Sequence, residues 1–228
     1  DIGLVADIVG KLTESDEDTE GNDRFSVRHA ELILGHDVDP YSRLDSVIAF
    51  SDEHGVEVEE VYLTHFGLPG GTKARFGRFR PKVGAASAVH TEQLDSVDTP
   101  FVIAEYLGEE GYFKTGVELS NFIPFPFENP STEVMIGILE GGIGEEGTMF
   151  GSTKRRPTYY ARQRTALELG HFSDVALGTG FLLGSADDDS ANEVRAFTAD
   201  LTFNHRFNSI NRLKLQAEAI IQDRSAGY

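Results

Sequence analysis

The chain has 228 residues, a net charge of -18 and no cysteine, with a hydrophobic share of 39% and a mean hydropathy of -0.26. So acidic a chain repels polyphosphate, which excludes DNA and RNA as partners. No run approaches the roughly 18 apolar residues of a membrane-spanning helix, so a bilayer is accessible to this chain only through alternating strands.

Residues 1–9 alternate, with Ile2, Leu4, Ala6 and Ile8 on one side. A period of two predicts a strand with one apolar and one wet face. The acidic stretch at 14–23 follows. Asp16, Asp18, Glu20 and Gly21 imitate the start of a calcium loop, but Val27 stands where the bidentate glutamate is needed. A solvated loop is expected there, and a second one at 187–189.

Further strands are predicted at 24–37, 41–51, 56–68 and 72–79. Within 56–68 the apolar set shifts phase, from Val56 and Val58 to Val61 and Leu63, which predicts a β-bulge at Glu59-Glu60. Gly77 marks another irregularity in a segment whose basic residues fall on both faces. After a long gap come 115–123, 131–140, 158–170, 174–184, 193–207 and 211–222, giving about eleven strands. The clearest is the tenth, where Phe197, Ala199, Leu201 and Phe203 oppose Thr198, Asp200, Thr202 and Asn204. In the eleventh, Leu213, Leu215, Ala217, Ala219 and Ile221 oppose Lys214, Gln216 and Glu218. Gly178 and Gly180 are read as relieving crowding in the ninth.

The connections alternate as well. Those at 38–40, 69–71, 124–130, 171–173 and 208–210 are compact, and most carry turn residues. Four of the five between them, at 10–23, 80–114, 141–157 and 185–192, are longer and more polar or glycine-rich; 52–55 is the exception. Sorting of loops by length in this way is the habit of an outer-membrane barrel. An odd number of strands leaves an edge that lipid cannot satisfy, so further strands are expected beyond Tyr228. The expectation is one all-β, antiparallel transmembrane β-barrel domain over 1–228, incomplete at its C-terminal end.

Several stretches resemble a bacterial outer-membrane family related to the phosphate-selective porin O/P group, whose members often carry the label TonB-dependent or outer-membrane protein. They are Arg28-His29-Ala30-Glu31-Leu32, Asp39-Pro40-Tyr41, Val58-Glu59-Glu60-Val61-Tyr62-Leu63, Gly77-Arg78-Phe79-Arg80, Tyr106-Leu107-Gly108-Glu109-Glu110-Gly111 and Thr115-Gly116-Val117-Glu118-Leu119-Ser120. The resemblance implies a barrel of about sixteen strands when complete and a channel-type role in the bacterial outer membrane. Phosphate selectivity is not implied, because no lysine ladder matches. The dense basic run is Lys73, Arg75, Arg78, Arg80 and Lys82.

The connection at 80–114 is the place to look for function, since a connection of that length is usually functional or disordered. Folded inward, it would set Glu92, Asp95 and Asp98 against Arg75, Arg78, Arg80 and Lys82, a transverse field across a constriction; folded outward, it would pack on its neighbours. Charges expected to face the lumen are Asp7, Glu31, Arg43, Asp45, Glu118, Arg162, Arg164, Glu168, Asp200, Lys214 and Glu218. They either bias passage toward cations or neutralise one another across strands. The seven histidines are scattered without zinc-type spacing, and the His29 and Glu31 pair is read as structural. No enzyme signature, cofactor or metal is expected. Three readings stand: a porin-like channel for small polar solutes or ions, a non-conducting structural or partner barrel, and a soluble glycan-binding sandwich. The partners of the first two are outer-membrane lipid and lipopolysaccharide, with a second copy or another envelope protein beside them.

Overall fold

A computed structural model describes residues 1–14, 23–51, 55–87, 89–90, 93–96, 98–108, 111–124, 129–142, 148–151, 155–187 and 192–225. The imitation calcium loop and Glu92 therefore lie outside the described residues. Eleven strands form one antiparallel sheet in chain order. They are β1 (Ile2–Lys11), β2 (Arg24–Asp39), β3 (Ser42–Ser51), β4 (Gly55–His65), β5 (Lys73–Phe79), β6 (Lys114–Ile123), β7 (Ser131–Leu139), β8 (Thr158–Glu168), β9 (Ser173–Ser185), β10 (Glu193–Arg206) and β11 (Arg212–Arg224). Each strand bonds to the next in chain order, the meander that an up-and-down barrel requires. β1 and β11 pair with no further strand among the described residues.

Burial runs opposite to that of a soluble sheet. On β10, Phe197 is 56% exposed and Leu201 41%, while Thr198, Asp200 and Thr202 between them are 4%, 5% and 9% exposed. The same holds around the sheet. Leu4, Ile8, Phe76, Val117, Leu119, Ile136, Ile138, Leu177, Leu215 and Ile221 are all exposed. Alternation assigns these to one face, and no second layer covers it among the described residues. In water such a face would forgo roughly 1.5–3 kcal/mol for each large side chain left unburied.

Two predicted irregularities resolve differently. Val47 pairs with Glu60 but Ile48 pairs with Val58, so Glu59 is the extra residue of a bulge, where the phase shift places it. A regular strand sends consecutive side chains to opposite faces; here both Glu59 and Glu60 are buried inside. Gly77, in contrast, keeps regular register with Tyr62 and Gly116. Its φ is 128°, and a Cβ there would lie 2.3 Å from the Val61 carbonyl oxygen, so glycine serves a close approach of strands and not a bulge. A further shift between Asp7 and Ile8, opposite Val27 and His29, has no counterpart in the sequence reading.

Candidate functional site

The described residues of the segment 80–113 fold back over the inner face of the sheet. They include a short helix, α1 (Phe101–Leu107), which the sequence reading lacked. Val83, Ile103, Leu107 and Tyr112 pack with Phe79, Met135, Leu139, Tyr160 and Leu182 of the strands, joined by Met149 and Phe150, into one apolar cluster. This is the hydrophobic core of the chain, and it lies between the segment and the wall.

Polar contacts tie the segment to both sides of that wall. At β8 and β10, the Val83 carbonyl accepts from Arg162 Nη1 at 3.0 Å and from Thr198 Oγ1 at 2.6 Å. Arg162 Nη2 also meets Asp200 Oδ2 at 2.6 Å, with both side chains buried. Space for this pair comes from the glycines of β9. A Cβ at Gly178 would lie 2.2 Å from Asp200 and 2.5 Å from Arg162. On β11, Glu218 Oε2 accepts from the Ala86 amide at 2.9 Å. Further along the segment, Asp95 binds Lys214 Nζ at 2.5 Å and lies 3.6 Å from Arg212. The Lys214 ammonium holds the Asp95 carboxyl below the usual carboxylate range.

On the opposite side, β2, β4 and the segment bring five titratable groups together. His29 Nε2 is 3.0 Å from Glu59 Oε1 and 3.3 Å from Glu31 Oε1. His90, from the segment, places Nδ1 2.9 Å from Glu31 Oε1 and 3.5 Å from Glu59 Oε2. Its Nε2 lies 3.7 Å from Glu60 Oε2, and Glu60 Oε1 accepts the Arg80 amide at 2.7 Å. Burial works against a charged His90, but hydrogen bonds to Glu31, Glu59 and Glu60 outweigh it and push its pKa up to about 11. Glu31, Glu59 and Glu60 are all buried.

The predicted constriction residues sit apart from the arrangement expected of them. Arg75 does not face Asp95 or Asp98; its Nη2 binds Glu118 Oε1 at 2.6 Å, and its guanidinium lies 4.3 Å from the Phe79 ring. The Tyr160 hydroxyl donates to the same Glu118. Arg78 Nε donates to the Glu59 carbonyl at 3.1 Å. Arg80 Nη1 donates to the Val89 carbonyl, and its guanidinium stacks 4.2 Å from Phe113. Lys82, Asp95 and Asp98 are exposed. Opposed rows of charge are thus replaced by local pairing, because each buried cation takes an acceptor close at hand, a carboxylate for Arg75 and a backbone carbonyl for Arg78 and Arg80. Among the expected lumen charges, Arg162, Asp200, Glu118 and Glu218 face the segment. Arg43 and Asp45 pair with each other on β3 at 2.8 Å, and Arg164 is exposed toward the turn end of β8. A cavity of about 370 Å³ remains between the segment and β11, lined by Asp95, Ser96, Lys214, Gln216 and Glu218 among others.

The histidine–carboxylate cluster is what sequence reasoning missed. His90 and Glu31 are 59 residues apart, a separation that local spacing rules do not cover. Its traces in the sequence are the His29 and Glu31 pair, read as structural, and the doubled glutamate at the bulge.

No family model matches the chain. It is 30% identical over 210 residues to an uncharacterised protein of Aquifex aeolicus (strain VF5), covering 85% of this chain. The chain spans 44% of that relative's length. Among solved structures it is similar to OmpTdeltaL8, a loop L8 deletion mutant of OmpT, an outer membrane protein of Vibrio cholerae. That likeness has a TM-score of 0.53 at 12% identity and covers 100% of this chain and 82% of that one. The chain therefore has the all-β, antiparallel fold of an outer-membrane β-barrel, with its sheet open between β1 and β11.

Proposed function

We propose that this chain is part of a bacterial outer-membrane barrel that passes small polar solutes or ions through a lumen narrowed by residues 80–113. The observation that carries this reading is the inverted burial of the sheet, with leucine, isoleucine and phenylalanine outside and charged pairs inside. Such a face gains in hydrocarbon what it forgoes in water, with lipid and lipopolysaccharide as its surroundings. Open strand edges at β1 and β11 cost several kcal/mol for each unpaired backbone group in lipid, so strands outside this chain would complete the barrel. The relative's greater length agrees with that. The cavity beside β11, lined by Leu94, Pro100 and Val102 as well as Asp95, Lys214 and Glu218, leaves space for a path past the segment. The reading is of a conduit and involves no enzyme chemistry. The phosphate-selective porin O/P resemblance would place it among channel proteins, but the solute follows from the lumen charges alone.

A second reading has an observation in its favour: the apolar cluster beneath the segment fills much of the inner wall, as it would in a closed structural or partner barrel. Planar-bilayer recording of the full-length protein separates the two. Discrete conductance steps are expected, growing when residues 84–106 are removed. A silent bilayer with correctly folded, detergent-extracted protein would overturn the channel reading and leave the structural one.

A further inference from the structure

We propose that His29, Glu31 and Glu59 bind a divalent transition-metal ion of the zinc type on the inner wall, with His90 positioning one of the ligands from the segment. This assignment is independent of whether the barrel conducts.

The geometry points to it first. One ligand atom from each of His29, Glu31 and Glu59 lies within 4.8 Å of the others. For metal–ligand bonds of about 2.0–2.1 Å, tetrahedral corners lie roughly 3.3–3.4 Å apart. His29 Nε2 is 3.3 Å from Glu31 Oε1 and 3.0 Å from Glu59 Oε1, which is that spacing with little movement required. A mixed imidazole and carboxylate set suits zinc and its neighbours better than calcium or magnesium, which prefer oxygen alone. Three protein ligands leave a fourth corner for water.

Electrostatics supplies an independent reason. Three carboxylates, Glu31, Glu59 and Glu60, are buried side by side around His29 and His90, and like charges so placed need positive charge among them, which protons on the imidazoles or a metal ion can supply. Glu59 Oε2 is buried without a hydrogen-bond partner. The Nδ1 of His90, 3.5 Å away, lies closer to Glu31. An acceptor so buried and turned into the cluster is costly as it stands, and a metal ion held by both oxygens of Glu59 satisfies it.

His90 then has a separate part. Its Nδ1 donates to Glu31 Oε1 at 2.9 Å and its Nε2 faces Glu60. A donor behind a ligating carboxylate fixes its orientation, so His90 acts through Glu31. The bulge in β4 is what makes the site possible, since it turns Glu59 inward next to Glu60. Bound there, the ion would join β2 to β4 and, through His90, fasten the inward segment to the wall.

The test uses the full-length protein in detergent, stripped with a chelator and titrated with Zn²⁺ by calorimetry. One high-affinity equivalent per chain is expected, weakened at least 100-fold in His29→Gln and about 10- to 100-fold in His90→Gln, the usual range for a residue behind a ligand. His171→Gln, at an exposed loop histidine, should leave it unchanged. No saturable binding, or binding indifferent to His29→Gln, overturns the proposal. Should the variants fail to fold, the unmodified protein loaded with Co²⁺ decides. Intense visible bands of a four-coordinate site support the assignment, and the weak spectrum of hydrated cobalt overturns it.

Discussion

The two walls that hold the inward segment do so by opposite electrostatic means. At β8 and β10 the charges balance: Arg162 faces Asp200, and both Arg162 and Thr198 donate to the Val83 carbonyl. At β2 and β4 they do not balance without help, because Glu31, Glu59 and Glu60 crowd around two imidazoles. A buried cation paired directly with a carboxylate suits a permanent anchor. A carboxylate-rich contact holds only while protons or a metal ion occupy it. The same segment is thus fixed outright on one side and conditionally on the other.

The largest expected effect tests the balanced side. Arg162→Ala leaves Asp200 buried without its cation, which should cost about 3–5 kcal/mol of unfolding free energy in detergent. Arg162→Ala with Asp200→Ala should recover most of that loss in a double-mutant cycle. A double variant no better than the single would mean that Arg162 matters through Val83 and not through charge. On the crowded side, Glu60→Gln keeps an acceptor for the Arg80 amide while removing one negative charge. A loss of about 1 kcal/mol or less is expected. A cost equal to that of Arg162→Ala would show that the two walls are balanced alike.

The smallest effect is one of pH, at Asp95. Its carboxyl is held low by Lys214, so the contact contributes fully above the ordinary carboxylate range. It is lost as pH falls through the lowered folded-state value. Amide protection around residues 93–96 should therefore fall in acid, and Asp95→Asn should show the same loss at neutral pH. Global stability should hardly move, since the pair is solvent-exposed. Loss of protection across Val83 as well would mean that the segment detaches as a unit.

Much of the fold was legible in advance because a strand's side-chain period is a local property. The predicted strands match the observed ones to within a few residues, and a phase slip from even to odd positions located the bulge at Glu59. Helix α1 was not legible. Phe101–Leu107 is too short to show a helical period, and its Ile103 and Leu107 are apolar only in the service of the core beneath them. Of the site, Arg162, Asp200, Glu118 and Glu218 were expected to face the lumen, and no partners were legible for them. The expected opposition of Arg75 to Asp95 gave way to Arg75 with Glu118 and Asp95 with Lys214. Pairing of charges depends on which strand neighbours which and on where a long connection comes to rest.

By itself, then, the sequence determined that these strands form and that their leucines and phenylalanines share one side, because alternation acts residue by residue. Only the tertiary structure decided that residues 80–113 turn inward and that His90 meets Glu31. Both depend on contacts between positions far apart in the chain, where shape, burial and charge select one partner among many that the sequence leaves equally available.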